Sequence, residues 1–564
     1  SHLFGFFSTF NPDAIKDVQL YKGAYPAKYG RTLGAVLDVA NREGNRQRFS
    51  GRGGISLISS RLLAEGPIDG GSWMAAGRRT YLEPVLGAVR AFDVDIPLSY
   101  YFYDFNGKIN QRRGDDTFTL STYLGQDDLR AEFFREDDQE DVEDSFADLR
   151  WGNRAVTARW TRVFSPDLFG HFMAAGSYYE SVLDFSVFNT PFTVVNSIRD
   201  LSLKGDLDYF AHRDHTLTLG FLATLYRFHF AQSFNGEEQD DLRQGSVLLS
   251  AYVQDEWEPD PVTRLRLGGR GAWFSEGRRL HFTPRLSLSR ALTEKVRVKA
   301  AGGMYRQYLQ LITTEGFTGG DGWVPLDDSV EPGRSWQGVM GAEWNPSRTW
   351  QFTVEGYYTD LANLVVLDTA VAADSEAGNS EEIFVSGGTG WARGVELFLQ
   401  RRSGPLTGWV GYTLGWTRRT FPELNQGRAF PPKYDRRHDL SFVVSYRVGK
   451  WRLGSNLVYA TGQAFTPASV RYSLREPTTG VVEDYVLPSR RNSGRLLPYH
   501  RLDASVTRDL TLWGLESELF LQVFNLYSRR NEWFVLYDTS ESETEAEVVQ
   551  QLPIVPTLGL NFAF

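Results

Sequence analysis

The amino-acid sequence predicts an all-β fold, a transmembrane antiparallel β-barrel of about 22 strands. Three observations lead to this prediction. Apolar and polar residues alternate along most of the 564 residues, short and long connections take turns between the alternating segments, and the last strand ends on an aromatic residue. No apolar run approaches the roughly 18 residues of a membrane helix, so no helical span is predicted.

The alternation has the period of a strand with one apolar and one polar face. In the segment WQFTVEGYYT (350–359), Trp350 and Phe352 share one face and Gln351 lies on the other. The segment RLDASVT (501–507) repeats the pattern. A period of two fits a soluble β-sandwich as well as a membrane barrel, so alternation alone leaves both open.

The lengths of the connections separate these two architectures. Short turns such as SPDL (165–168), AHRDH (211–215) and VGK (448–450) alternate with long polar segments such as 127–150 and 538–547. Outer-membrane barrels have short periplasmic turns and longer loops outside the cell, whereas a sandwich has no reason to sort its loops in this way. A barrel of about 22 strands is also wide enough to hold a plug in its lumen.

The last strand resembles the signal by which outer-membrane barrels are recognised for insertion. That signal is a polar residue, a glycine and two aromatic residues two positions apart, here Thr557, Gly559, Phe562 and Phe564. An ordinary final strand is the alternative interpretation. The resemblance implies that the barrel-assembly machinery and the lipids of the outer membrane are partners of this chain.

Composition and motifs argue against several other functions. The net charge of −10 makes nucleic acid an unsuitable partner, because phosphate binding needs a basic surface. The chain has no cysteine, and no nucleophile elbow, P-loop or zinc-protease motif is found. We therefore predict no catalytic residue, no cofactor and no bound metal. His212 and His215 are interpreted as solvated turn residues, and the acidic run 136–148 as a charged outer loop.

The beginning of the chain resembles the end of the plug domain of TonB-dependent outer-membrane receptors. The family pattern is a strand that ends in a basic residue and glycine, a loop that ends in Tyr-Gly, and a second strand that contains glycine. In the segment NPDAIKDVQLYKGAYPAKYGRTLGAVLDVANREG (11–44), these positions are Lys22, Gly23, Tyr29, Gly30 and Gly34. The amino-acid sequence of this segment is similar to that of receptors from Bacteroidota that carry a carboxypeptidase-regulatory-like domain.

The resemblance implies two parts, the closing part of a plug over residues 1–48 and a transmembrane barrel over 49–564. The first half of the plug, the TonB-contacting segment and a signal peptide are expected to precede this sequence in a longer product. The glycines are expected to permit turn dihedral angles and close approach. Lys22, Lys28, Arg31 and Arg42 are expected to pair with acidic residues of the barrel wall, for which Glu355, Glu396 and Asp503 are candidates. Solvated charges on loops of the plug are the alternative interpretation.

The resemblance also implies a function, active import across the outer membrane by a TonB-dependent receptor. TonB would act through the segment expected upstream, and a surface lipoprotein is a further candidate partner. An iron chelate, a vitamin-like molecule or a small peptide would be the substrate. The alternative is a structural or secretion-associated barrel without transport activity. A soluble β-propeller enzyme would need blade repeats, and none is found.

Overall fold

The computed structural model describes residues 8–82, 98–133, 145–187, 190–312, 322–326, 328, 330–367, 384–475, 482–538 and 545–564. These residues form strands, turns and connections. Two 3-10 turns, Glu276–Arg278 and Asn425–Gly427, are the helical elements found among them. In this described part of the chain, no helix has the length and apolar character needed to cross a membrane.

The chain opens with a small antiparallel sheet of two strands and then enters the barrel. The two strands of the sheet are β1 (Ile15–Tyr21) and β2 (Val36–Asn41). The first barrel strands are β3 (Ser50–Ser56), β4 (Ser59–Ile68), β5 (Gly71–Tyr81), β6 (Leu98–Arg113), β7 (Asp116–Phe133), β8 (Ser145–Ser165), β9 (Leu168–Val187), β10 (Thr190–His212), β11 (His215–Phe234), β12 (Glu237–Asp260), β13 (Thr263–Phe274), β14 (Arg279–Ala291) and β15 (Val296–Gln307).

Short hairpins outside the barrel wall interrupt its second part. The strands, in order, are β16 (Leu309–Ile312), β17 (Gly322–Pro325), β18 (Gly333–Trp344), β19 (Trp350–Leu367), β20 (Phe384–Arg401), β21 (Leu406–Thr420), β22 (His438–Val448), β23 (Trp451–Ala460), β24 (Ala464–Phe465), β25 (Ala468–Arg475), β26 (Val482–Pro488), β27 (Gly494–Arg495), β28 (Tyr499–Leu512), β29 (Leu515–Phe524), β30 (Glu532–Asp538), β31 (Glu545–Gln550) and β32 (Val555–Ala563). The pairs β16–β17, β24–β27, β25–β26 and β30–β31 form separate two-stranded sheets.

The remaining strands form one closed antiparallel barrel of 22 strands, which confirms the predicted fold class and strand number. Each barrel strand pairs with the barrel strands before and after it in the chain. The last strand, β32, pairs with both β29 and β3, with Leu560 opposite Leu519 on one side and Ile55 on the other. The closed ladder leaves no free edge in the wall.

The two faces of the wall differ as the alternation predicts. Outward side chains are large and apolar, such as Leu201, Leu203 and Leu225, which are 52–55% exposed, because the surrounding solvent is lipid. Aromatic side chains form a belt near the short turns, as in other membrane barrels. The exposed members of this belt include Phe164, Tyr209, Trp257, Trp344 and Trp451.

The connections only partly follow the predicted lengths. All three short turns named above, 165–168, 211–215 and 448–450, join consecutive barrel strands. The segments 127–150 and 538–547 differ from the prediction, because their described residues belong to strands. Residues 134–144 and 539–544, and with them most of the acidic run, lie outside the described residues. Strands β9 to β12 have 20 to 24 residues, about twice what a membrane strand needs.

Candidate functional site

Residues 8–46, here called the lumenal segment, lie inside the barrel. Its side chains and main chain bond to strands on different sides of the wall. Examples are Arg42 with Glu65 of β4 at 3.4 Å, Lys108 Nζ of β6 to the Asn41 carbonyl at 3.0 Å, and Gln337 Nε2 of β18 to the Leu33 carbonyl at 2.7 Å. A single short segment can reach all these strands of a closed barrel only from within.

Two of the predicted glycines, Gly23 and Gly30, lie so close to the wall that a side chain would crowd its residues. A Cβ atom on Gly30 would lie 2.8 Å from Nε of Arg270, and one on Gly23 would lie 3.1 Å from Oε1 of Gln337. The expected turn dihedral angles occur one residue later, since the left-handed φ values are 49° at Ala24 and 71° at Arg31. A Cβ on Gly34 would make only an ordinary contact, 3.8 Å from Thr32 Oγ1.

Two buried arginines of the wall bind the loop between β1 and β2 through its carbonyl groups. Arg285 Nη1 donates to the carbonyls of Pro26, Tyr25 (3.2 Å) and Tyr29 (2.6 Å). Arg270 Nη1 donates to the Ala27 carbonyl at 3.4 Å. The two arginines are 8% and 4% exposed, so their guanidinium groups depend on these acceptors rather than on water.

An aromatic pair completes this contact. The rings of Tyr25 and Tyr305 are 4.3 Å apart, and the Arg285 guanidinium lies 5.0 Å and 4.6 Å from their centroids. Burial raises the pKa of the Tyr25 phenol, so the hydroxyl stays protonated and donates to the Thr32 carbonyl at 2.5 Å. The loop is therefore fixed by cation–π contacts as well as by hydrogen bonds.

The predicted cations of the lumenal segment find different partners. Lys22 forms an ion pair with Glu396 of β20, as expected. Arg31 donates to the Tyr226 hydroxyl at 2.9 Å, and Lys28 lies 4.8 Å from the Tyr29 ring centroid. The third acidic candidate is engaged elsewhere, since Asp503 pairs with Arg501 at 3.0 Å.

Tyr29 connects the β1–β2 loop to both strands of the lumenal segment. Its hydroxyl donates to Oδ2 of Asp38 on β2 at 2.5 Å, and its ring lies 5.2 Å from that of Tyr21 on β1. Desolvation and the nearby Asp38 carboxylate raise the pKa of the phenol. The Tyr29 side chain thus ties the loop back to both strands.

A cavity of about 550 Å³ separates the lumenal segment from the far wall and the loops above it. Its floor includes Lys22, Gly23 and Gly34, and its wall includes Glu355, Tyr357, Ala392 and Glu396 of β19 and β20. Above these lie Arg419, Phe421, Phe430 and Tyr434. The volume lies in the range of small-molecule sites, and the lining offers aromatic rings together with charges of both signs.

The residues of the predicted insertion signal lie where the barrel closes. The Phe564 main chain exchanges hydrogen bonds of 3.0 and 2.9 Å with Gly51 of β3. The Phe562 and Phe564 rings stack 6.4 Å apart and cover Gly53 and Gly51. Thr557 is buried, and Gly559 accommodates the Phe520 ring. Whether these residues are read during insertion remains a prediction.

The two histidines of the 211–215 turn each lie next to one carboxylate. His215 contacts Asp255 at 2.9 Å and stacks on Trp257, and His212 is 3.7 Å from Asp214. In the described residues, no group of three or more His, Cys, Asp or Glu side chains is placed to hold a metal ion.

Sequence reasoning missed the arginines that hold the loop. Arg270 and Arg285 lie in the alternating segments RLGGR and FTPRLSLS of two barrel strands. The signal available was an arginine on the inward face of an alternating strand, where a charge needs a partner. The loop that carries Phe421 and Phe430 was not singled out from the sequence either.

Comparisons with known proteins agree with this architecture. A family model described as "TonB dependent receptor-like, beta-barrel" matches residues 87–526. The ferripyoverdine receptor of the Pseudomonas aeruginosa outer membrane superposes with a TM-score of 0.69 at 13% identity, over 98% of this chain and 76% of that one.

Two further solved structures are similar to the same extent. For the ferric yersiniabactin uptake receptor FyuA of Yersinia pestis, the TM-score is 0.69 at 14% identity, over 98% of this chain and 85% of that one. For the copper transporter OprC, it is 0.70 at 12% identity, over 99% and 87%. A comparison with curated protein sequences finds no match.

Proposed function

This chain belongs to the TonB-dependent receptor family of outer-membrane proteins, and on that basis we propose that it binds an extracellular ligand and imports it actively into the periplasm. The family consists of receptors and transporters rather than enzymes. Residues 1–48 act as the closing part of a plug and residues 49–564 as the barrel. In support of this division, β1 and β2 form a two-stranded sheet of their own in the described residues, and the first wall strand starts at Ser50.

One observation carries the proposal, the cavity shared between the lumenal segment and the wall. Its floor is built from Lys22 and Gly23 beside the β1–β2 loop, and its roof from loops at the end opposite the short turns. A ligand in this cavity contacts the lumenal segment, which must move before a path through the barrel opens. The Lys22–Glu396 ion pair spans the same cavity, so ligand binding and release of the lumenal segment involve common residues.

The ligand is proposed to be a small metal chelate. The cavity has the volume of a small-molecule site, and its aromatic and cationic lining suits a chelate with ring systems and negative charge. Of the similar structures, one is a receptor bound to ferripyoverdine and another is a ferric citrate transporter. Those ligands are therefore suitable probes.

The test is energy-dependent uptake with a cavity-filling variant. Cells that express the complete gene would be given ⁵⁵Fe-labelled ferric citrate or ferripyoverdine, with and without a protonophore. We expect accumulation that the protonophore abolishes and that Ala392→Trp reduces at least tenfold, because Ala392 lines the cavity and an indole would fill it. Val395→Trp is the matched control, since Val395 is on the same strand and 43% exposed towards lipid.

Two outcomes would count against import. Uptake that survives the protonophore would indicate a passive pore. No uptake of either chelate, together with a conductance that no chelate alters, would favour the structural or secretion-associated barrel.

A further inference from the structure

Three arginines form a row on the lipid-facing side of the wall. Arg154 of β8, Arg199 of β10 and Arg227 of β11 are all exposed. The strand register places Arg154 opposite Tyr178 of β9, Tyr178 opposite Arg199, and Arg199 opposite Arg227. The three guanidinium groups therefore follow one line across four adjacent strands.

The row lies at the edge of the apolar band. On each of these strands, the residue two positions closer to the short turn lies on the same face as the arginine. These residues are Val156, Leu201 and Leu225, and they are 52–55% exposed. The arginines lie about 11 to 13 residues from the strand ends at Ser165, His212 and His215, close to the roughly 9 to 11 residues with which a tilted strand crosses the hydrocarbon. Since short turns are periplasmic, the row is at the level of the outer headgroups.

In the described part of the chain, the three arginines of this row have no ion-pair partner. The contacts found are with Tyr178, whose ring lies 5.8 Å from Arg154 and 4.9 Å from Arg199 and whose hydroxyl interacts with Arg199. The nearby Glu180 carboxylate accepts from the Tyr178 hydroxyl. The next row outward is paired internally, because Asp241 binds both His229 at 3.0 Å and Arg243 at 2.9 Å.

We propose that Arg154, Arg199 and Arg227 form a binding site for the phosphate groups of an outer-leaflet lipid, whose acyl chains lie on the apolar residues below. Guanidinium groups bind phosphate through paired N–H donors. Cationic side chains at the membrane surface attract anionic headgroups. The spacing of adjacent strands, about 4.8 Å, lets two or three of the arginines reach one phosphorylated headgroup. Tyr178 between them keeps two of the guanidinium groups oriented.

The test compares lipids of one chain length and different headgroups. Delipidated protein in detergent would be titrated with dimyristoyl phosphatidic acid, dimyristoyl phosphatidylcholine or inorganic phosphate, and bound molecules counted by native mass spectrometry. We expect phosphatidic acid to bind at least about tenfold more tightly than phosphatidylcholine, and phosphate alone to bind weakly, because it lacks chains for the apolar band.

Variants identify the site. The triple variant Arg154→Gln, Arg199→Gln, Arg227→Gln should lose the preference for phosphatidic acid. The control Arg130→Gln, Arg150→Gln removes two exposed arginines that already pair with Asp148 and Asp128, and should keep it. Equal binding of both lipids, or an unchanged preference in the triple variant, would overturn the proposal. A gel mobility that still changes on boiling would show that the triple variant folds.

Discussion

At the scale of single residues, the lumenal segment is held mainly by main-chain acceptors. Arg285 binds three carbonyl groups of the β1–β2 loop, and Gln337 binds the Leu33 carbonyl and the Ala24 amide. Carbonyl oxygens remain available in any loop sequence. The wall can therefore bind this loop through its main chain, without requiring particular side chains in the loop.

The grip of Arg285 can be tested directly. Arg285→Ala should lower the free energy of opening of residues 21–34 by about 2 kcal/mol, or about 30-fold in amide-exchange protection, because charge-assisted hydrogen bonds to a buried group are lost. Hydrogen–deuterium exchange measures this. Arg290→Ala, an exposed arginine of the same strand, is the control. Equal protection of residues 21–34 in both variants would show that the loop is held by other contacts.

The same residues show how far sequence reasoning reaches. A pairing of Lys22 with an acidic residue of the wall was expected, with Glu396 among three candidates, because a lysine in a polar lumen and a glutamate on an inward face are each visible in the sequence. The roles of Arg270 and Arg285 were not predicted. Every residue has a main-chain carbonyl group, so the sequence does not show which carbonyl groups accept their hydrogen bonds. Likewise, Gly30 was visible as a glycine, but the guanidinium that excludes a Cβ there was not.

At the scale of elements, the closing contact between β3 and β32 determines whether there is a barrel at all. The contact is short, with five residue pairs from Arg52–Ala563 to Ser56–Gly559. Aromatic rings of β32 lie over glycines of β3, and this arrangement stabilises glycine-containing strands by cross-strand packing.

Removing the terminal aromatic should impair assembly. We expect Phe564→Asp to reduce the amount of barrel in the outer membrane severalfold, since it places a charge on a 48% exposed side chain at the lipid boundary and removes the last position of the predicted insertion signal. Immunoblots of outer-membrane fractions measure this. Trp513→Asp changes an aromatic that is 89% exposed in a turn, and it should assemble normally. Normal levels of the Phe564 variant would refute the role.

The glycines under the rings offer a second test of closure. Gly53→Val should lower the temperature at which the barrel loses its resistance to gel denaturation by several degrees, because its Cβ would lie 2.3 Å from the Phe562 ring and force a rearrangement. Gly338→Val is the matched control in another wall strand, where a Cβ meets nothing within 4 Å. A similar loss in both variants would point to strand flexibility instead of ring packing.

Strand existence and order could be predicted because alternation is a property of each strand alone. Strand length could not, and the segment 127–150 illustrates the reason. Where β7 and β8 continue beyond the membrane, their polar residues, such as the paired Asp128 and Arg150, lie on the outer face, and their apolar residues Leu129, Ala147 and Leu149 are buried on the inner face. Charged residues above the membrane therefore resemble a loop in sequence.

At the scale of the whole molecule, the fold assigns each connection to one side of the membrane. The turns near residues 212–215 and 448–451 lie at one end of the barrel, and the β11–β12 connection at Asn235–Gly236 lies at the other. This follows from antiparallel pairing alone. The assignment of the short-turn end to the periplasm follows from the general pattern of these barrels.

Epitope tags test the orientation. A tag between Asn235 and Gly236 should be labelled by antibody on intact cells, and a tag between Gly449 and Lys450 only after the outer membrane is permeabilised. Both sites are open turns with glycine at positive φ, so the insertions should be tolerated equally. Labelling of the second tag but not the first on intact cells would invert the topology.

Because the strands differ in length, the outer end of the barrel is a continuous sheet on one side and a set of separate hairpins on the other, and we expect these two sides to differ in stiffness. From β8 to β12 the wall continues outward as one ladder-bonded sheet, which resists bending as a unit. From β23 to β32 the outer part includes the small hairpins β25–β26 and β30–β31, which form two-stranded sheets separate from the barrel ladder. Any closure over a bound ligand would then be a hinge rotation of these hairpins towards a stationary sheet. Spin labels on Tyr472 and Arg227 would report such a movement as a change in one distance, while a pair on Arg199 and Arg243 would stay constant.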